Sequence, residues 1–374
     1  MRRPESVALG VVGAAGRGGS FKRVIDAIDG VHVRAVCDIR KNALEEARVR
    51  LGAETACTDY QEMLERGGVD AVLIGTPMPL HVPQSIAALE RGIHVLSEVP
   101  AGVSIDECKE LVRVAKASAA IYAMAENYIH PRFIALVTAL VRAGVFGETY
   151  YAEGEYLHEL KELNETTPWR RKWQTGIDGI TYPTHSLGPI LEWMPGDRVV
   201  EVCCAGSGHH YRDPRGDLYE NQDAVVMLCK MASGGLAKVR VDMLSDRPHA
   251  MNNYQLQGTD GAFESARAPG EPHRIWLRAL NPERDRWLDL MAIEEELAPH
   301  LPTGWREDEA AAQAAGHGGG DYYVVADFVH AIRQGTEPAV GIHRAMDMTL
   351  PGLVSQQSIV ENGRWLPVPD SRDW

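Results

Sequence analysis

The sequence predicts a chain in two parts: an α/β half on a parallel doubly wound sheet, then an α+β half on a mostly antiparallel open sheet. Three observations carry this. Strand runs alternate with helical stretches from Val7 to Ala123, strand runs follow one another directly after Glu148, and a glycine-rich turn joins the first strand to the first helix. At 374 residues the chain exceeds one ordinary compact core. Two domains are expected, 1–127 and 128–374, and the final helices are free to pack back on the first.

In the first half the apolar runs Val7–Val12, Val31–Cys37, Ala71–Ile74, His94–Leu96 and Ala120–Ala123 read as buried strands. Helices are expected between them over Gly19–Ile28, Lys41–Leu51, Pro83–Arg91 and Asp106–Lys116. Leu44, Ala47 and Leu51 recur at helical spacing and form an apolar stripe. A further helix spans Ile134–Val141 and ends at Ala143-Gly144. Strands then follow over Thr149–Tyr156, Val199–Cys204, Ala224–Leu228 and Ala237–Val241. Helices around Tyr322–Arg333 and Arg344–Glu361 close the chain, after an alanine- and glycine-rich stretch, Ala310–Gly320.

Apolar residues make up 45% and charged residues 24%, a globular composition. Lys and Arg total 38 against 52 Asp and Glu, a net charge of −14. Such a surface repels polyphosphates and anionic membranes, so neither nucleic acid nor a membrane is an expected partner. The six cysteines (Cys37, Cys57, Cys108, Cys203, Cys204, Cys229) form no C-x-x-C and read as small buried residues in a reducing compartment. No apolar run reaches the ~18 residues of a membrane span. The two N-terminal arginines precede only a strand-length apolar run without a cleavage site, so a cytoplasmic protein is expected. The scattered His and Asp lack ligand spacing, and no metal is expected.

The first strand runs into Gly13-Ala14-Ala15-Gly16-Arg17-Gly18 and then a helix, the context a dinucleotide fingerprint requires. The second strand ends at Asp38, where a carboxylate accepts hydrogen bonds from a ribose diol and repels a 2′-phosphate. Loop and acid together predict NAD. Ala15 replaces the middle glycine, and Gly16 beside it restores room. Arg40, two residues past Asp38, keeps NADP open, and an ordinary glycine turn is the alternative for the loop alone.

These residues resemble the glucose–fructose oxidoreductase/inositol dehydrogenase (Gfo/Idh/MocA) family through LGVVGAAGRG, IGTPMPLH (Ile74–His81), HVLSEVPAG (His94–Gly102) and AENY (Ala125–Tyr128). The resemblance implies a Rossmann domain with the nicotinamide end against Thr76, Pro77, His81, Glu98 and Asn127. The family's dehydrogenases carry Glu-Lys-Pro where this chain has Glu98-Val99-Pro100, and many place an Asp where Thr181 stands. Further motifs, AEGEYLHEL (Ala152–Leu160), Trp169-Arg170, YPTHSLGP (Tyr182–Pro189) and GHGGGD (Gly316–Asp321), resemble glycoside hydrolase family 109, whose members resemble α-N-acetylgalactosaminidases that use NAD catalytically. The resemblance also implies a homo-oligomer, dimer or tetramer, paired through the second domain's sheet.

The expected function is therefore a glycoside hydrolase that oxidises C3 transiently, eliminates across C1–C2, adds water and re-reduces. His185 is the expected base at a sugar hydroxyl, because imidazole titrates near neutral pH. By resemblance Tyr156 takes the C2 proton, Tyr182 and Arg170 position the sugar, Glu126 supports substrate or cofactor, and His317 or Asp321 touches hydroxyls. Each has a plainer reading. Tyr156 would cover a sheet face, Tyr182 and His185 would be turn or capping residues before a helix, and GHGGGD would be a linker. Arg170, Arg171 and Lys172 form either a solvated helix face or a pocket for an anionic substituent. His209, His210 and His249 read as surface or packed residues, with His249 alternatively facing the pocket. The rival functions are a net NAD-dependent sugar or polyol dehydrogenase and a non-catalytic NAD-binding protein.

Overall fold

A computed structural model describes residues 6–374 except 249, 250, 282, 284, 304 and 316, together with all but the side chain of His317. The expectation for His249 lies outside the described residues.

The first elements alternate: β1 (Val7–Val12), a 3₁₀ turn over Arg17–Phe21, α1 (Lys22–Asp26), β2 (Val31–Cys37), α2 (Lys41–Leu51), β3 (Thr55–Cys57), α3 (Tyr60–Arg66), β4 (Ala71–Ile74), α4 (His81–Leu89), β5 (His94–Ser97), α5 (Ile105–Ala117) and β6 (Tyr122–Met124). Next come α6 (Arg132–Arg142), β7 (Thr149–Leu157), α7 (Lys161–Thr166), α8 (Pro168–Trp173) and α9 (Thr184–Trp193). A strand series follows: β8 (Val199–Gly206), β9 (Ala224–Met231), β10 (Leu236–Asp242), β11 (Met251–Gly258), β12 (Gly261–Glu264), β13 (Arg274–Leu277) and β14 (Leu288–Asp289). The chain closes with α10 (Glu294–Leu297), α11 (Glu309–Ala315), α12 (Gly320–Gln334), α13 (Ile342–Val360) and β15 (Leu366–Pro367).

The first unit comprises residues 1–130, 307–346 and 371–374. Its sheet runs β3-β2-β1-β4-β5-β6, parallel throughout. That order reverses direction beside β1, the switch point where open α/β sheets take ligands. Every residue of β1 is buried, as its unbroken apolar run requires. Helix α2 buries Leu44, Ala47 and Leu51 and stops at Gly52, whose φ of +69° few other residues adopt. The Asp59 and Ser104 side chains cap α3 and α5 by accepting N–H groups three residues on. Val324, Val325, Phe328, Val329 and Ile332 of α12 share one core with β1 and β2, so this late helix belongs to the first unit. The observed division follows His130, whereas the expected boundary followed residue 127.

The second unit comprises residues 131–306 and 347–370. Its nine-stranded sheet runs β14-β13-β12-β11-β7-β10-β9-β8-β15, and among described neighbours only β7 and β10 are parallel. Strands β11 to β14 extend the expected sheet. Polar residues such as Asn252, Asn253, Gln255 and Gln257 mask β11's period in the sequence. Among its described residues the alanine- and glycine-rich stretch is wound rather than a loose linker: 310–315 lie in α11, where alanine favours helix most strongly, 317–319 form a 3₁₀ turn and 320 begins α12. The helix expected over Gly19–Ile28 shrinks to α1 behind the 3₁₀ turn. A Cβ at Gly19 would lie 2.2 Å from the Ala14 carbonyl, so the chain turns tightly there before it can wind.

Candidate active site

In the first unit, register pairs Val12 with Cys37 and Ile74, Ile74 with Ser97, and Ser97 with Met124. The next residues, Gly13, Asp38, Gly75, Glu98 and Ala125, therefore line one edge of the sheet. Gly13 has a φ of +73°, and a Cβ on it would sit 2.5 Å from the Gly75 carbonyl oxygen. Gly18 packs as tightly, 2.7 Å from the Val12 oxygen, whereas a Cβ on Gly16 would meet nothing closer than the end of the Arg40 side chain, at 3.3 Å. Such close backbone approach is what a dinucleotide loop demands. Ala15 fits because its N–H turns inward and donates to Asp38 Oδ2 at 2.9 Å.

Asp38 is buried, and each of its oxygens accepts two hydrogen bonds. Oδ1 takes the Arg40 N–H and Nε, each at 3.0 Å; Oδ2 takes Ala15 N–H and Arg40 Nη2, at 2.9 and 3.0 Å. Burial pushes the carboxyl up, but these donors outweigh it and hold the group below its usual range. Arg40 thus occupies the carboxylate expected to hold the ribose.

Thr76 and Pro77 follow β4, half-buried at the same edge. His81 was expected against the nicotinamide end, but it is 1% exposed and lies between carbonyls: Nδ1 is 2.9 Å from Pro100 O and Nε2 is 2.9 Å from Thr76 O. Burial pushes its imidazole below the usual range against those carbonyls and Glu98, so a largely neutral ring ties the loops after β4 and β5 together. Glu126 is fully buried and accepts the Tyr128 N–H at 3.0 Å.

Arg17 leaves the glycine loop for two carboxylates. Its Nε donates to Glu98 at 2.7 Å, and Nη1 and Nη2 grip Asp321 at 2.9 Å each. Burial opposes the charge, while Glu98 and Asp321 outweigh that and raise the pKa. Asp321 also accepts Asn127 Nδ2 at 2.8 Å. The residue expected over the sugar therefore lies among cofactor-loop residues. Only its partners, far away in sequence, reveal this.

The second unit gathers three aromatic side chains. Gly154 of β7 faces α9, where a Cβ would sit 2.6 Å from the Ser186 carbonyl oxygen; only glycine lets the helix come so close. Tyr156 points to the same face two residues on. Its ring centroid lies 5.4 Å from His185 and 5.3 Å from Tyr182, and those two lie 5.0 Å apart. His185 is not ahead of the helix but in its first turn, and α9 has no side-chain cap, so the capping alternative fails. Two residues were missed. His158 Nδ1 lies 2.7 Å from the Tyr156 hydroxyl, and Tyr254 of β11 donates to the His185 carbonyl at 2.6 Å. The Y-x-H spacing along a strand was the signal for the first.

The basic run separates. Arg171 is paired with Asp213 at 3.3 Å and Glu220 at 2.5 Å and lies over Tyr219, so its charge is already met and the anion-pocket expectation fails for it. Lys172 is exposed beside Trp173. Arg170 lies over Trp169 and donates Nη1 to Gln174, and its buried Nε has no hydrogen-bond partner among the described residues. Thr181, at the dehydrogenases' Asp position, is buried and donates to Gln174 O at 2.8 Å. His209 and His210 are exposed, with His210 bonded to Asp223. Backbone from 317 to 319 forms a 3₁₀ turn.

Residues 7–126 match the oxidoreductase family with an NAD-binding Rossmann fold (GFO_IDH_MocA), and residues 130–373 match the glycosyl hydrolase 109 C-terminal domain. The chain belongs to glycosyl hydrolase family 109. A family 109 protein of Saccharopolyspora erythraea is 31% identical, over 98% of this chain and 83% of its own. An α-N-acetylgalactosaminidase of Shewanella oneidensis is 29% identical over 98% of this chain and 85% of its own. A levoglucosan dehydrogenase solved with NADH shares the fold, with a TM-score of 0.80 at 19% identity over 98% of this chain and all of that one. This family 109 protein is an NAD-dependent, carbohydrate-active enzyme. The close-packed Gly13 and Gly18, the buried Asp38 and the unpaired Asn127 Oδ1 fit that cofactor. Among the described residues no helix is long and apolar enough to cross a membrane.

Proposed function

We propose that the enzyme hydrolyses a glycoside by transient oxidation at C3, with Tyr156, His158, Tyr182 and His185 handling the protons. The observation that carries this reading is the Tyr156–His158 hydrogen bond inside the aromatic cluster. NAD, when bound, supplies the hydride acceptor and later the hydride. Gly13, Ala15, Gly16, Gly18 and Asp38 are the residues proposed to hold its adenosine and pyrophosphate, and Thr76, Pro77, Glu98 and Asn127 its nicotinamide end. His185 takes the proton of the C3 hydroxyl. The C3 ketone acidifies C2, and Tyr156 removes that proton while His158 receives the phenolic one. The C1 substituent leaves and its oxygen gains the proton that water gives up on adding to C1; Tyr156 returns to C2 a proton that has exchanged with solvent, and His185 gives its proton back as C3 is reduced.

Tyr182 and Arg170 position the sugar in this reading. The unpaired Arg170 Nε supports an acceptor-bearing or anionic ring substituent, such as the N-acetyl group of an N-acetylgalactosaminide. Cysteines free of disulfides support a cytoplasmic location. Tyr151, Glu153 and Glu155, on the β7 face away from α9, support a homo-oligomer joined through that sheet.

The test uses catalytic NAD, aryl N-acetylgalactosaminides and anionic aryl glycosides in deuterated water. Aglycone release with deuterium at C2 and no rise in NADH is expected. Stoichiometric NADH with an intact glycosidic bond would make the enzyme a net dehydrogenase instead.

A further inference from the structure

Asp321 is the second residue of α12, and its side chain is 3% exposed. It grips Arg17 through both oxygens and accepts Asn127 Nδ2 at 2.8 Å. A carboxylate only accepts, so the Asn127 amide must turn its NH₂ towards Asp321 and its oxygen away. That Oδ1 is buried and has no hydrogen-bond partner among the described residues. A buried acceptor is seldom left unmet unless something else fills the place. Asn127 stands three residues past the end of β6, on the sheet edge that carries Gly13, Asp38 and Glu98. Gly320 holds α12 against it, since a Cβ there would lie 2.6 Å from the Asn127 carbonyl oxygen.

We propose that Asp321 is a positioning residue of the cofactor site: it fixes the Asn127 amide so that Oδ1 accepts a hydrogen bond from the nicotinamide–ribose half of NAD. The inference rests on the NAD reading and moves Asp321 from the sugar to the cofactor. Arg17 completes the device. Its cation keeps Asp321 an acceptor, and Glu98 holds Arg17 from the other side. The donor to Oδ1 is either the carboxamide N–H or a ribose hydroxyl.

Calorimetric titrations of NAD, ADP-ribose and ADP on the full chain test this. Asp321→Ala is expected to weaken NAD about tenfold while leaving ADP within about twofold, the size of one lost hydrogen bond. Asp321→Asn presents oxygen or nitrogen alike and no longer dictates the amide's orientation; a loss of about threefold is expected, and it carries the test if the alanine variant fails to fold. In an Asn127→Ala background, Asp321→Ala is expected to cost nothing more, because Asp321 acts through Asn127. A loss shared by ADP-ribose assigns the ribose hydroxyl; one confined to NAD assigns the carboxamide. Unchanged NAD affinity in both single variants, an equal loss for ADP, or additive losses in the double variant would each overturn the proposal. Wild-type protein that binds ADP but not NAD would overturn the cofactor reading along with it.

Discussion

Asp38 and Arg40 set up a competition at the scale of single side chains. All four lone-pair directions of the carboxylate are in use, two of them by the Arg40 guanidinium. A ribose diol reaches Asp38 only as that fork lets go. Asp38→Ala is expected to weaken NAD by about 1–3 kcal/mol, as loss of a charged acceptor does. Arg40→Ala should leave NAD affinity intact or raised and lower NADP affinity, because the cation nearest a 2′-phosphate goes; a gain in NADP binding would contradict this. In the second unit, His185→Ala and Tyr156→Phe should each cut turnover by about 10²–10⁴. NAD affinity should hold, since neither residue belongs to the dinucleotide unit. The gathering of Tyr156, Tyr182 and His185 was legible because two motifs, Ala152–Leu160 and Tyr182–Pro189, carry them. Arg171 and Asp321 were not, because Asp213, Glu220 and Arg17, which engage them, stand 42, 49 and 304 residues away.

Elements place these side chains through contacts that leave no slack. Strand β7 and helix α9 touch at Gly154 and Ser186, where a methyl group would have to enter a 2.6 Å gap. Gly154→Ala should therefore destabilise the protein by about 1–3 kcal/mol, the usual cost of overpacking, and lower turnover by shifting His185. Thermal unfolding beside steady-state rates measures both; an unchanged melting temperature would mean that α9 gives way freely. Five strands of the parallel sheet were legible because each carries a run of buried apolar residues; the three-residue edge strand β3, which is not buried, was missed. The far side of the second sheet was not legible. Strand β11 presents Asn252, Asn253, Gln255 and Gln257, and its worth lies in Tyr254, which anchors His185 from a neighbouring strand. Cross-strand partners decide such segments, and a single run of sequence does not display them.

For the whole molecule the expected assembly is open to direct measurement. Light scattering on the purified chain should give a multiple of 41.1 kDa, and charge reversal at Glu153 should reduce it; a monomer at micromolar concentration would exclude the sheet-paired oligomer. The two-part division was legible in the change of character at Glu148, but the return of residues 307–346 to the first unit was only anticipated as final helices packing back. Helical periodicity shows that a face is apolar, not which partner covers it.

That return bears on how the protein is made. Residues up to 130 of the dinucleotide unit precede the second unit along the chain, yet Val325, Phe328 and Val329, which finish its core, arrive only after residues 131–306 have been synthesised. The nascent chain must carry an incomplete apolar surface for most of its translation, a state open to aggregation and to chaperone capture. A message truncated before codon 307 would then yield no half-enzyme that binds NAD. Although the cofactor's fingerprint is written in the first forty residues, the last seventy or so decide whether it can be read.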